Sequence, residues 1–170
     1  MDAPPRATWR FLFAHPAHAI ALGLGSGLAP KAPGTAGTLL AWLLHALLLR
    51  HVPALPMALL LLASLLLGWW ACTVTAQHLR VADPGCIVWD EILAFWLVLW
   101  LLPQTGLGQQ LAAFIFFRLF DAAKPPPVRW ADRHFKGPGW RGGWGILFDD
   151  LVAALCVLAL LALWPYLLGI

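Results

Sequence analysis

From Leu55 to Ala76 the chain runs 22 residues without a formal charge. At about 1.5 Å per helical residue such a run is about 33 Å long, enough to cross a hydrocarbon core of about 30 Å. Few folds other than a membrane bundle accommodate it. The rest of the 170 residues agrees: 61% are hydrophobic and 11% are charged, with a mean hydropathy of +0.78. Length and composition therefore predict one integral-membrane domain over residues 1–170. A second apolar run spans Ile146 to Leu168, with Asp149 and Asp150 at its entrance and Pro165 near its exit. A third, Ala36 to Leu49, ends at Arg50. Two more, Ile92 to Leu102 and Leu107 to Phe120, flank Pro103-Gln104-Thr105-Gly106 and read as helix, turn, helix. The first of these covers only about 16 Å, so the pair is either two thin crossings or a hairpin dipping halfway. The expected fold is all-α: a polytopic bundle of four to five hydrophobic helices.

Parity sets a topology for that bundle. If 36–49 crosses away from the N-terminal side, 55–76 returns, the 92–102 and 107–120 pair goes out and back, and 146–168 crosses last. Residues 1–35, 77–91 and 121–145, with the adjoining helix ends, then share one face. All of the 11 Lys and Arg residues except Arg50 fall there, which makes that face cytoplasmic by the positive-inside rule. All eight acids, Asp2, Asp83, Asp90, Glu91, Asp121, Asp132, Asp149 and Asp150, fall there too. Polar chemistry is concentrated at one membrane surface. Tryptophans at segment ends (Trp69, Trp70, Trp100, Trp130, Trp140, Trp144, Trp164) suit the headgroup layer, although core packing explains many equally well. Arg6 and Arg10 precede an apolar run that resembles a signal sequence, but His15, Pro16 and His18 interrupt it, so an uncleaved interfacial segment is expected. Cys72, Cys86 and Cys156 form no CxxC pair and read as small buried hydrophobes.

Four stretches carry chemistry. The glycine-rich run Gly25 to Thr38 leads into the first crossing; with free N–H groups, hydroxyls and Lys31 it suits an anionic phosphate, although a loop capped by Thr35 or Thr38 explains it as well. It is no Walker motif, because no Gly-Lys-Ser/Thr follows. Asp83, Asp90 and Glu91 precede an apolar helix. A helix N-terminus accounts for one acid, but three within nine residues exceed that need, and hard oxygen ligands point to Mg²⁺. From Arg118 to Arg133, Asp121 lies three residues from Arg118, where a plain ion pair is an alternative. Three prolines are expected to stop the helix and hold Lys124 and Arg129 on a stiff extended segment. Arg133 and Lys136 suit contact with anionic headgroups. Finally Gly142-Gly143-Trp144-Gly145 is expected to act as a flexible lead that delivers Asp149 and Asp150 to the first turn of the last crossing.

In order and spacing, Pro33-Gly34-Thr35, Ile87-Val88-Trp89-Asp90-Glu91, Arg118-x-x-Asp121-x-x-Lys124-Pro125 and Gly142-Gly143-x-Gly145-Ile146 with Asp149-Asp150 resemble the phosphatidylglycerophosphatase A family. The likeness extends from about Gly23 to Asp150. Leu147, where a methionine is associated with the motif, and Ala153-Ala154, which lack a glycine, are departures in packing. The resemblance implies Mg²⁺-dependent hydrolysis of phosphatidylglycerophosphate to phosphatidylglycerol and phosphate at the bacterial inner membrane, with the site facing the cytoplasm.

On that reading Asp83, Asp90, Glu91, Asp121, Asp149 and Asp150 share one or two Mg²⁺ ions, with Asp90 and Asp149 catalytic. Lys124 and Arg129, catalytic as well, neutralise phosphate oxygens together with Lys31, Gly34, Thr35 and Thr38. The expected partner is an anionic phospholipid, not a nucleic acid. Cysteine-phosphatase chemistry is excluded, because the sixth residue after each cysteine is His78, Ile92 or Ala162 and never arginine. A metal-activated water is the leading nucleophile. A phosphatase or phosphotransferase for another lipid phosphate is an alternative, and an ion or proton transporter is one from another class. A transporter should spread acids through the membrane depth, yet none lies between Leu39 and Cys72 or after Asp150.

Overall fold

A computed structural model of the chain describes residues 6–102 and 106–168, with side chains as far as Leu163. Asp2, the turn at Pro103-Gln104-Thr105, and the roles expected of the Trp164 and Pro165 side chains lie outside the described residues. The regular elements of the described residues are helices: α1 (Trp9–Ala14), α2 (Pro16–Ala21), α3 (Pro33–Leu44), α4 (Ala54–Leu79), α5 (Trp89–Leu101), α6 (Leu107–Ala123), α7 (Pro126–His134) and α8 (Gly139–Leu168). A tight 3₁₀ segment, Gly23–Leu28, joins α2 to α3, and α3 runs on through a π turn, His45–Leu49.

Local chemistry sets the boundaries. The Thr8 hydroxyl accepts from Phe11 N–H to start α1, and the His15 ring accepts from Ala17 N–H to start α2 with Pro16 at its first position. Pro33 and Pro126 open α3 and α7 in the same way. α6 stops at Lys124, which takes a left-handed conformation with φ +44° ahead of Pro125. The prolines after Lys124 therefore start a helix; they do not extend the chain, because only Pro125 keeps an extended ψ and Pro126 and Pro127 fit a first helical turn.

The central helices are α8 and α5. α8 packs on α4, α5, α6 and α7, and α5 packs on α3 and α4. From Glu91 to Leu99 α5 is almost wholly buried, with Phe95 and Ile92 at the centre of the core. Indole N–H groups tie helix to helix: Trp96 donates to Ala41 O at 2.9 Å and Trp89 to Ser64 O at 3.0 Å. The glycines at 142–145 are helical, within the first two turns of α8, and do not form a flexible lead. A Cβ at Gly143 would land on the Thr73 hydroxyl, so its absence lets α8 approach α4 closely. α4 and the Gly139–Leu163 part of α8 are each long and apolar enough to cross a membrane. Outward faces are aliphatic: Leu39, Leu43 and Leu47 on α3, Leu55, Leu59, Leu62 and Leu66 on α4, and Leu107, Leu111, Ile115 and Leu119 on α6 are exposed at helical spacing.

Candidate active site

Asp90 and Glu91 open α5, where the helix N-terminus favours negative charge. Asp150 joins them from about three turns inside α8. One oxygen of each lies within 4.8 Å of the other two. Glu91 and Asp150 are buried, and among the described residues Asp90 Oδ1, Glu91 Oε2 and Asp150 Oδ2 are buried with no hydrogen-bond partner. Buried carboxylate oxygens without donors are costly unless a cation stands among them. Arg118, from α6, supplies one positive charge: its Nη1 is 3.0 Å from Asp121 Oδ2 and 3.6 Å from Glu91 Oε1. The charge of Asp121 also acts on Glu91 and Asp150. Four acids to one guanidinium leave a negative surplus that a divalent cation would balance.

The loop ahead of α3 reaches this group. A Cβ at Gly34 would fall on Glu91 Oε1 and 3.0 Å from Arg118 Nη2, so the first turn of α3 approaches the acids only because residue 34 has no side chain. Arg118 Nη1 donates to Thr38 Oγ1 at 3.4 Å, and the Thr38 hydroxyl donates to Gly34 O at 2.8 Å. Thr35 is half-buried on the same turn, and Lys31 is exposed.

A second charged group adjoins the first through the Asp149-Asp150 pair. Lys124 Nζ donates to both Asp149 and Asp132, the latter at 3.0 Å, and Lys136 Nζ binds the other Asp132 oxygen at 3.1 Å. Burial works against the Lys124 charge, but Asp149 and Asp132 outweigh it and raise its pKa above the ordinary lysine value. Burial likewise opposes the Asp132 charge, and the bonds from Lys124 and Lys136 overcome that and hold the carboxyl below its usual range. A hollow of about 170 Å³ lies beside the pair, lined by Asp83, Asp132, Lys136 and Asp149 among others. Asp83 is exposed on its rim and its charge acts on Asp149.

The six acids expected to converge thus form two neighbouring groups: Asp90, Glu91, Asp121 and Asp150 in one, Asp83 and Asp149 in the other. Arg129 is exposed on α7 and lines a different hollow, to which none of these acids contributes. Sequence reasoning left out Asp132. Its signal was Lys136 four residues on, a helical spacing hidden by reading the proline run as extended. Arg118 is found paired with Asp121 as its spacing suggested, and it also reaches Glu91. A hollow of about 620 Å³ lies at the opposite end of the bundle, lined by Trp42, His45, Arg50 and His51 among others, and no acid borders it among the described residues.

Fold and site define a helical bundle with long apolar helices and, at one end, buried acids, a guanidinium and a lysine able to hold a cation beside an anionic group. The profile of the family Phosphatidylglycerophosphatase A matches residues 19–164. Phosphatidylglycerophosphatase A of Escherichia coli (strain K12) is 38% identical over 147 residues, covering 85% of this chain and 80% of that protein. The protein of that name from Haemophilus influenzae is 38% identical over 141 residues, 83% of each chain. A protein of Bacteroides thetaiotaomicron provisionally named a phosphatidylinositol-3-phosphatase is 34% identical over 156 residues, 88% of this chain and 94% of that one. No solved structure matches at a significant level. The chain belongs to the phosphatidylglycerophosphatase A family.

Proposed function

We infer that this chain is a Mg²⁺-dependent phosphatidylglycerophosphatase, which hydrolyses the terminal phosphomonoester of phosphatidylglycerophosphate and leaves phosphatidylglycerol and phosphate. Family membership supports the reaction. The observation that carries the cation is the meeting of Asp90, Glu91 and Asp150 with buried oxygens that lack partners. An all-oxygen, multiply anionic donor set fits Mg²⁺. Asp90, Glu91 and Asp150 would hold it, with Asp121 beside them and Arg118 fixing Glu91 and Asp121 in place. The chemistry such an ion supplies is polarisation of the phosphoryl oxygens and acidification of a water.

The chain's own residues do the rest. Lys124, locked between Asp132 and Asp149, presents a fixed positive charge to the phosphoryl oxygens as charge spreads over them in the transition state. Asp149, which borders the small hollow, would take the proton of the attacking water, while the P–O bond to glycerol breaks and the glycerol oxygen gains a proton. Gly34 and Thr38 shape the wall on the Arg118 side. Aliphatic outer faces on α3, α4 and α6 support a bilayer setting with four to five crossings, the site at the cytoplasmic surface of the bacterial inner membrane. A lipid's tails would then stay in the bilayer while its phosphate meets the acids. The Bacteroides relative favours a second reading, a phosphatase for another lipid phosphate.

The test is phosphate release by purified protein from phosphatidylglycerophosphate, phosphatidylinositol 3-phosphate and phosphatidic acid, with Mg²⁺ or with chelator. Highest kcat/KM on phosphatidylglycerophosphate, abolished by chelator and lowered at least about 10²-fold in kcat by Asp90→Asn or Asp150→Asn, is expected. Turnover that ignores chelator and both substitutions would remove the metal assignment. A higher kcat/KM on another lipid would move the substrate.

A further inference from the structure

The substrate proposed above carries two phosphates, a terminal monoester that is cleaved and, one glycerol away, a phosphodiester that stays with the lipid. The acids, Arg118 and Lys124 account for the first. The second needs a cation of its own near the lip of the site, and the outward face of α7 offers one. α7 is strongly amphipathic. Val128 and Ala131 are buried on its inner side, and Asp132 holds Lys124. At about 100° per residue, Arg129 stands about 60° round the helix from Asp132, and Arg133 lies one turn beyond Arg129 on nearly the same line. Both are exposed and line a hollow of about 390 Å³ with Pro126, Trp130 and His134. Among the described residues neither guanidinium takes part in an ion pair, whereas Lys124, Lys136 and Arg118 all do. Trp130, 57% exposed and stacked on His134 at 5.1 Å, gives this face an amphipathic ring suited to the headgroup layer.

We propose that Arg129 and Arg133 form a second phosphate subsite that binds the phosphodiester of the lipid headgroup while Lys124 and the acids engage the monoester. The proposal rests on the lipid-phosphatase reading. Asp132 couples the two subsites: it belongs to the same nine-residue helix as the arginine pair, and it fixes Lys124. A planar guanidinium pair suits a phosphodiester, which it contacts through parallel N–H···O bonds. Such a subsite reads the lipid without taking part in bond breaking. The lipid in the name provisionally given to the Bacteroides relative likewise carries a phosphodiester and a monoester on one polyol.

The measurement is equilibrium binding of short-chain phosphatidylglycerol, the product that retains the phosphodiester, in uncharged detergent micelles, at low and high salt. Wild type is compared with Arg129→Gln/Arg133→Gln and with the charge-retaining Arg129→Lys/Arg133→Lys. The inhibition constant of inorganic phosphate is measured in parallel. The glutamine variant should bind phosphatidylglycerol at least about tenfold more weakly at both salt levels, with the inorganic phosphate constant unchanged and the lysine variant in between. KM for phosphatidylglycerophosphate should rise with it while kcat stays within about threefold. Unchanged phosphatidylglycerol binding overturns the proposal, as does a loss that vanishes at high salt, which is general surface attraction. An equal loss for inorganic phosphate also overturns it, by placing the arginines in the monoester site. Wild-type protein that binds phosphatidylglycerol through these arginines yet releases no phosphate would instead refute the hydrolase reading and leave the subsite standing.

Discussion

At the scale of single residues, Lys124 joins a backbone turn to two carboxylates. It ends α6 in a left-handed conformation that a non-glycine residue adopts only at a cost of about 1 kcal/mol or more. That turn redirects the chain into α7 and aims the ammonium at Asp149 and Asp132. The two carboxylates differ in what they touch: Asp149 borders the acids of the first group through Asp150, whereas Asp132 is clamped between Lys124 and Lys136. Lys124→Ala should therefore cost at least about 10²-fold in kcat/KM, because a fixed charge in a partly dry site is worth several kcal/mol. Asp132→Asn should cost about tenfold through looser positioning, and Asp132→Glu should recover part of it. Steady-state kinetics on the purified variants decide this; an Asp132→Asn loss equal to that of Lys124→Ala would make Asp132 a contact of the substrate itself. The residue types of this site were readable in the sequence because acids and a lysine beside apolar helices have few structural uses. Their grouping was not, because Asp149 and Asp150 are adjacent in the chain yet face different partners.

At the scale of elements, the short N-terminal helices are held by a histidine relay. His18 is buried on α2; its Nδ1 is 2.8 Å from Phe11 O and its Nε2 is 2.8 Å from His78 Nδ1 at the end of α4. His15 lies tilted against His18 and meets His78 edge to face. The contact works with neutral rings, in which His18 donates from Nδ1 and accepts at Nε2. Burial first, then the nearby charges of His78 and His15, push the His18 pKa below its ordinary 6.5, against the opposing bond to Phe11 O. The unfolded segment consequently takes up a proton at higher pH than the docked one. The stabilisation is whole above about pH 6.5 and drains away as pH falls below it. Backbone hydrogen exchange over residues 9–21, corrected for intrinsic rates, should be faster at pH 5.5 than at pH 7.5, and His18→Phe should flatten that dependence. A pH-independent protection factor in wild type would show that the relay does not anchor these helices. The interrupted apolar run at 11–20 did signal short helices instead of one span, since His15-Pro16 breaks it. The partner, His78, lies 60 residues away, and no local pattern names it. The same limit applied to α7: prolines bar a helix interior but fit a first turn, and only the tertiary contact of Val128 and Ala131 with the bundle selects the helical alternative.

For the whole molecule, charge and aliphatic surface divide the bundle cleanly. The buried carboxylates sit where α5 begins and α8 is three turns old, and the other end of α3, α4, α5 and α6 gathers Arg50, His45 and His51 around a hollow with no acid among its described lining. Between the two ends the outward side chains of α3, α4 and α6 are leucine and isoleucine at helical spacing, a surface that water would not tolerate over such a length but lipid does. Length alone distinguishes only α4 and α8 as spans, yet α3 with its π turn reaches from Pro33 to Leu49, about 25 Å, so its crossing depends on that continuation. If the bundle stands across the membrane with its acids at the cytoplasmic surface, a cysteine beside the acids and one beside Arg50 must answer to reagents on opposite sides. Gly85 is exposed with open space around it, and His51 is exposed at the far end, so both positions tolerate the change. In a background with Cys72, Cys86 and Cys156 replaced, Gly85→Cys should react with a membrane-impermeant maleimide in inside-out vesicles and stay unreactive in intact spheroplasts. His51→Cys should show the reverse. Reaction of both from one side would break the proposed parity: α3 would then not cross, the acids and Arg50 would share a surface, and the excess of lysine and arginine around the site would be explained by attraction of anionic lipid and not by topology.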